Sequence, residues 1–323
     1  MSDLAKIIQT LKNENKFYII SHMLPDGDSI GSLLAMAEGL RSLGKEITAF
    51  TPGHIPHKYS FLHGSELVKN SPELKDNDIT VLVLDSSDLD RLGDFKDTVK
   101  ASKNIINIDH HITNQNYGDL NLVNPDAAAT GEIVYYLLKE IGAQITRQTA
   151  ESLYVAISTD TGSFKYDNTT ALTHRVIAEL LETGISPAVL SLKVFDERPL
   201  SFYILLKEAL SSLEIYENRL IAVMSLSKDI RERCGATTDD LEGIVNYTRN
   251  IEGVELGIMF YVEGEHEVKV GFRSRQLDVS LLAGKLNGGG HARAAGCRIY
   301  ADFESVKKRV MFEAINMIRE LEL

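Results

Sequence analysis

Apolar and polar positions fall into two alternating patterns along the first half of the chain. Leu4 to Leu11 carries apolar residues at helical spacing, and Phe17-Tyr18-Ile19-Ile20 follows as a short continuous apolar run. Ser29 to Leu43 returns to the helical period, Glu46 to Phe50 reads as a second strand, and Ile79 to Leu84 is apolar throughout. Asn104 to Ile108 and Ser152 to Thr159 read as two more strands of this kind. A strand solvated on one side would alternate. Continuous apolar strands separated by helices therefore predict an α/β fold with a parallel sheet buried on both faces. Further helices are expected from Thr130 through Leu138, with Thr130-Gly131-Glu132 as its cap, and from Thr169 to Thr183, closed by Gly184. Thr51 to Leu74 reads as irregular and Gly162 to Asn168 as a loop.

From Ser186 the alternation lapses into Pro187, Asp196-Glu197-Arg198-Pro199 and a helical stretch from Leu200 to Ser212. With 323 residues the chain exceeds what one core usually supports, so two domains are expected. The first is placed at residues 1–190, a connection at 191–213, and the second at 214–323. In the second, strands are expected at Leu220 to Met224, Glu255 to Val262 and Glu267 to Phe272. Helices are expected around Thr238 to Tyr247 and near Val279 to Leu286.

Composition narrows the class. Hydrophobic content of 44% and charged content of 25% describe an ordinary globular chain. No apolar run is long enough to span a bilayer, and the start lacks a signal-peptide pattern, so the cytoplasm is the expected location. Cys234 and Cys297 form no metal-binding pair and read as buried reduced thiols. A net charge of −12 argues against coating long nucleic acid, but leaves room for a small anionic substrate in a local basic pocket.

The polar residues at the strand ends change the picture most. The first strand runs into His22, Asp26 and Asp28; the third ends on Asp85, the fourth on Asp109-His110-His111, and the last on Asp160. Taken alone, the first of these segments reads equally well as a metal-binding loop or as a polar turn in which Asp28 or Ser29 caps a helix. Four such termini at the carboxyl ends of one sheet favour a shared site, because ligands collect in that crevice. Close carboxylates repel unless a cation lies between them, and imidazole mixed with carboxylate suits manganese, iron or zinc better than calcium. His54, His57 and His63 follow no acidic partner and read as loop residues. In the second domain Asn287-Gly288-Gly289-Gly290-His291, with Arg273 and Arg275, reads as an anion site in which the glycines form a nest of backbone N–H groups.

Together, His22/Asp26/Asp28, Asp85, Asp109-His110-His111 and Asp160 resemble the four motifs of the DHH phosphoesterase superfamily. Arg273-Ser274-Arg275 and Gly288-Gly289-Gly290-His291 with Ala294-Ala295-Gly296 resemble the DHHA1 domain of one branch. Within it, the two-domain layout is most similar to the bacterial nanoRNases and pAp phosphatases. The resemblance implies a parallel-sheet DHH domain followed by a smaller α/β DHHA1 domain with a mixed sheet. It also implies two divalent ions, manganese by preference. His22 and Asp26 would hold one ion; Asp28, His110 and Asp160 the other; Asp85 would bridge. His111 would face the scissile phosphate and Asp109 would orient a neighbouring histidine, while Arg273, Arg275, Gly288, Gly289, Gly290 and His291 would bind substrate. The substrates implied are short oligoribonucleotides and 3'-phosphoadenosine 5'-phosphate (pAp). Cyclic or linear dinucleotides such as c-di-AMP and pApA form the alternative, and a nucleotide sensor without turnover the non-enzymatic one. A homodimer is compatible with these motifs; a membrane or long duplex nucleic acid is not an expected partner.

Overall fold

The computed structural model describes residues 2–71, 78–236, 239–241 and 243–320, which divide into two compact units, Met1–Glu197 and Arg198–Leu323. In the first unit Asp3–Asn13 (α1), Lys16–Ile20 (β1), Gly27–Ser42 (α2), Glu46–Phe50 (β2) and Thr80–Leu84 (β3) are followed by Lys96–Lys100 (α3), Asn104–Asp109 (β4) and Leu120–Val123 (β5). Thr130–Ile141 (α4), Arg147–Asp160 (α5), Ala171–Glu182 (α6) and Pro187–Ser191 (α7) complete it. The five strands are all parallel, in the order β2-β1-β3-β4-β5.

Successive side chains enter opposite layers, which is why these strands read as continuous apolar runs. Phe17 and Ile19 of β1, Leu82 and Leu84 of β3, and Ile106 and Ile108 of β4 join the large core under α2, α4 and α5. Tyr18, Ile20, Val81, Val83 and Ile105 join Phe50, Phe95 and Val99 on the other face. Each layer removes its side of the sheet from water.

The run Ser152 to Asp160 is not a fifth strand of this kind, as its pattern suggested, but the end of helix α5. Its apolar residues are buried because the helix lies inside the core, packed closely against α2. A short apolar run gives the same signal for a buried strand and a buried helix. Gly31 permits the close approach: a Cβ there would lie 2.4 Å from the Ser152 carbonyl oxygen. The packing brings the start of α2 beside the end of α5.

The second unit contains Leu200–Ser211 (α8), Glu214–Tyr216 (β6), Ile221–Ser227 (β7), Lys228–Arg233 (α9), Asn246–Arg249 (α10), Leu256–Gly264 (β8) and Glu267–Ser274 (β9). Val279–Lys285 (α11), Gly289–His291 (β10), Ala294–Ile299 (β11) and Phe303–Arg319 (α12) follow. Its sheet is mixed, ordered β10-β11-β9-β8-β7-β6, with β7 and β8 parallel and the other neighbours antiparallel. The stretch 191–213 forms no free connection. Val194 is buried in the first unit, and Phe202, Leu205, Leu206 and Ala209 of α8 pack on Met224, Leu226 and Met259 in the second. The helix expected around Thr238 to Tyr247 falls partly outside the described residues, and within them the 3-10 turn Asp239–Leu241 and the short α10 are helical. Cys297 is buried, Cys234 is half-buried, and both are free thiols. Among the described residues no helix is long and apolar enough to cross a membrane.

Candidate metal centre

Strand β1 delivers His22 almost fully buried, and the tight turn through Pro25 leads to Asp26 at the N-cap of α2. Asp26 Oδ1 accepts the Ser29 N–H at 3.0 Å while Ser29 Oγ receives the Asp26 N–H. The same oxygen lies 3.9 Å from His22 Nε2. Capping and site formation are thus compatible uses of one residue. Asp28, two residues into the helix, is buried behind it.

Asp85 ends β3 with φ = 57°, in the left-handed region that non-glycine residues seldom occupy. Such strain persists only where the surroundings impose it, and it is concentrated at functional sites. The twist lets the two carboxylate oxygens face different ways: Oδ2 is 3.5 Å from His22 Nε2, and Oδ1 is 3.8 Å from His110 Nε2. His110 Nε2 also lies 3.8 Å from Asp28 Oδ2 and 3.4 Å from Asp160 Oδ2. One ligand atom each from His22, Asp26 and Asp85 fall within 4.8 Å of one another, as do those of Asp28, His110 and Asp160; Asp85, His110 and His111 form a third such group. His54, His57 and His63 are exposed and belong to none of these groups.

The electrostatics of the cluster call for positive charge. Burial pushes the Asp28 carboxyl well above its ordinary range, and the charges of Asp85, Asp160 and Asp26 push it further. Asp160 is raised to about 6, by burial first and despite the opposing charge of His110. Burial also works against Asp85, but contact with His22 and the charges of His22, His110 and His111 outweigh it and hold that group well below the usual carboxylate range. Neither ring nitrogen of His22 has a hydrogen-bond partner although both are buried. A buried imidazole without a hydrogen bond, set against Asp85 in a cluster whose Asp28 and Asp160 carboxyls resist ionisation, is the donor set of a divalent cation site. These residues can bind a metal.

A shell of hydrogen bonds fixes the donors. Asp109 is fully buried; its Oδ1 accepts the His110 N–H at 2.9 Å and His111 Nδ1–H at 2.7 Å, and its Oδ2 accepts from Asn114 Nδ2 at 2.5 Å. Burial lowers the proton affinity of His111, but the Asp109 bond and the charge of Asp85 reverse this and hold the imidazole above its ordinary pKa. Asn107, a polar residue inside apolar β4, accepts from Asn114 and donates to the carbonyls of Val83 and Ser86. That buried asparagine was a signal in the sequence that composition alone does not explain.

Thr130 and Gly131 were expected to cap α4, yet the N-cap is Ala129, which has no capping side chain. The backbone N–H groups of Thr130 and Gly131 instead donate to the Asp28 carboxylate at 2.6 and 2.9 Å, and Thr130 Oγ1 donates to Asp85 Oδ1 at 2.9 Å. A helix N-terminus is a natural seat for a carboxylate. Thr130 and Gly131 therefore belong to the centre, and sequence reading missed them because a Thr-Gly pair at a helix start has the same pattern in either role.

In the second unit Lys269, Gly271 and Arg273 follow one another on one face of β9, beside Gly296 and Arg298 of β11, and line a pocket of about 530 Å³. Tyr261 closes one side; burial pushes its hydroxyl up to about 12, against the opposing charge of Arg273. Arg275 does not line the pocket: its guanidinium donates to the carbonyls of Arg249 and Ile251. The expected glycine nest is an edge strand, with Gly289 paired to Gly296, Gly290 to Ala295, and the Gly288 N–H donating to Ala283 O. Gly290 has φ = 144° and a Cβ there would lie 2.5 Å from Ala295 Cα, so close strand pairing explains this glycine. The His291 side chain lies outside the described residues.

Residues 16–157 match the DHH family, N-terminal domain, and residues 220–320 match the DHHA1 domain. A Thermus thermophilus protein, the bifunctional oligoribonuclease and PAP phosphatase NrnA, is 35% identical over 312 residues, covering 95% of this chain and 91% of its own. The chain belongs to the DHH family. The fold of an exopolyphosphatase-related protein from Bacteroides fragilis superposes with a TM-score of 0.92 at 27% identity, covering 99% of this chain and 97% of the other. Exonuclease RecJ, in a crystal structure bound to manganese, shares the DHH fold at a TM-score of 0.51 and 12% identity over 96% and 92% of the two chains.

Proposed function

We propose that this DHH protein is a two-metal hydrolase that cleaves short oligoribonucleotides to mononucleotides and removes the 3'-phosphate of pAp to give AMP. Membership of the family makes it a hydrolase of phosphate esters. One observation carries the two-metal part: the two carboxylate oxygens of Asp85, whose backbone is left-handed, face two separate ligand groups. His22 and Asp26 would hold one ion, Asp28, His110 and Asp160 the other, and Asp85 would serve both. Manganese fits a set of imidazoles and carboxylates, and RecJ, which shares the fold, crystallised with it. When bound, two such ions lower the pKa of water and stabilise charge on the attacking and leaving oxygens.

The remaining work falls to the chain itself. Asp109 accepts the Nδ1–H of His111 and, with the charge of Asp85, favours the doubly protonated imidazolium, whose Nε2–H can then donate to the scissile phosphate as charge develops there. Arg273, with Lys269 beside it, binds a terminal phosphate of the substrate, which favours short phosphorylated substrates over generic diesters. The T. thermophilus relative's name supports this choice of substrates.

A direct test compares turnover of a labelled dinucleotide such as pApA, a longer oligomer, pAp and c-di-AMP under one condition with manganese. Release of mononucleotide from the dinucleotide and of phosphate from pAp is expected, with slower use of the long oligomer. Preference for c-di-AMP over all three linear substrates would replace this reading with a cyclic-dinucleotide phosphodiesterase, and no turnover of any would leave a nucleotide sensor.

A further inference from the structure

The turn 127–132 touches the centre at several points, and one buried side chain within it has no part in the proposed chemistry. Ala127 O accepts from His110 Nδ1 at 3.3 Å; a carbonyl can only accept, so this bond fixes the His110 tautomer and leaves Nε2 for the ligand position. The N–H of the same peptide plane belongs to Ala128, and it donates to Glu132 Oε2 at 3.3 Å. That oxygen also accepts from Thr173 Oγ1 at 3.1 Å, which ties it to α6. Glu132 is only 3% exposed. Asn168 braces the other side of the turn, donating to Ala128 O at 3.0 Å and to the backbone carbonyl of Asp160 at 3.1 Å.

Glu132 stands three residues after the N-cap Ala129, where a glutamate ordinarily reaches back to the N-cap N–H. Here it reaches one residue further. Because a trans peptide is planar and rigid, an acceptor that holds its N–H on one side orients its C=O on the other, and the hydrogen bond to the N–H strengthens the carbonyl as an acceptor. We infer that Glu132 is a positioning residue for the metal centre, acting on His110 through the Ala127–Ala128 peptide: a carboxylate–histidine–metal chain with a peptide group inserted into it. Such outer partners of a ligating histidine are typically worth about 10- to 100-fold in metal affinity.

The inference rests on the two-metal reading, and the wild-type chain tests that first: if calorimetry finds no manganese binding to the metal-free protein, the metal reading fails before any variant is made. With binding established, Glu132→Leu should weaken one of the two sites by about 10- to 100-fold and alter the visible spectrum of the cobalt-substituted protein. Glu132→Gln keeps a carbonyl oxygen at the same place, and should restore both affinity and spectrum to near wild type. Thr173→Val, which leaves the Glu132 chain in place and removes its tie to α6 together with the bond that the Thr173 hydroxyl accepts from the Thr170 N–H in the α6 cap, should shift the same site in the same direction by a smaller factor. It keeps the test decisive if Glu132→Leu does not fold. Unchanged affinities with a lowered melting temperature of the metal-free protein would reduce Glu132 to a link between α4 and α6. A Gln variant as weak as Leu would equally overturn the relay, since charge rather than hydrogen-bond acceptance would then matter.

Discussion

In the first unit His22, Asp28, Asp85 and Asp109 are removed from water, each with its position dictated by a strand end, a helix start or a buried hydrogen bond. In the second unit Lys269 and Arg298 stand exposed on an open sheet face with Arg273 half-buried between the strands, and Arg298 shares its guanidinium with Glu267. Burial and neighbouring negative charge raise the Asp28 and Asp160 carboxyl pKa values in one region, whereas Lys269, Arg273 and Arg298 line a pocket in the other. The difference separates a buried cluster of imidazoles and carboxylates that could bind metal from a pocket lined by cationic side chains. Substitutions should follow the same division: in the first unit they alter metal binding or the chemical step, and in the second they alter recognition alone.

The largest effect should come from Asp85→Ala, which removes the ligand facing both groups. Activity should fall by at least about 10³-fold, because the charge stabilisation supplied by two ions, each worth several kcal/mol, is lost at once. Full activity in that variant, or in a chelator-treated protein, would break the comparison at its first term. Next, the histidine pair should divide. His110→Ala should lower metal content, whereas His111→Ala should retain the metals and lower kcat by about 10²- to 10⁴-fold. Equal metal loss in the two variants, measured by elemental analysis, would refute separate roles.

Arg273→Ala addresses the other region. A guanidinium hydrogen bond to an anion contributes roughly 1.5–3 kcal/mol, so kcat/KM on pAp and on a dinucleotide should fall by about 10- to 150-fold, with metal content unchanged. Bis(p-nitrophenyl) phosphate, which has no terminal phosphate to bind, should lose much less. A uniform loss on all three substrates, with lower thermal stability, would assign Arg273 to the fold instead.

The smallest effect is one of stability and of sign. The Asp160 carboxyl is raised to about 6 in the metal-free fold, above the ordinary 3.8, so the folded chain holds its proton through a pH range where the unfolded chain has lost it. Stability from this group is therefore present below about 4 and lost as pH rises through 6. Metal-free Asp160→Asn should melt a few degrees above wild type at pH 7.5, with the gap closing at pH 5. A gap that widens toward pH 5 would contradict the sign. For wild type the same proton competes with the cation, so metal affinity should rise from pH 5 to 7.

Sequence patterns carried the parallel sheet, the strand ends at His22, Asp85 and Asp109, and the two domains, because burial on both faces and polar strand termini leave a strong local signal. They failed where two physical situations share one pattern. The α5 helix looked like a strand because a helix buried on all sides is as continuously apolar as a central strand. Thr130 looked like a cap because its use depends on Asp85, 45 residues away in the chain, and no local window contains both. The triple glycine looked like an anion nest because loose backbone and close strand pairing both call for glycine. Asn107 and Asn114 escaped notice, and Glu132 was read only as part of a cap, for a related reason: each is a single polar residue whose meaning is a hydrogen bond to a distant partner.

The most direct test of the central claim is a titration of the metal-free wild-type chain with manganese, following bound metal and pApA hydrolysis in the same samples. Two ions per chain are expected, with activity rising only as the second is bound. Saturation at one ion, or full hydrolysis before any metal is added, would contradict a centre in which Asp85 joins two cations.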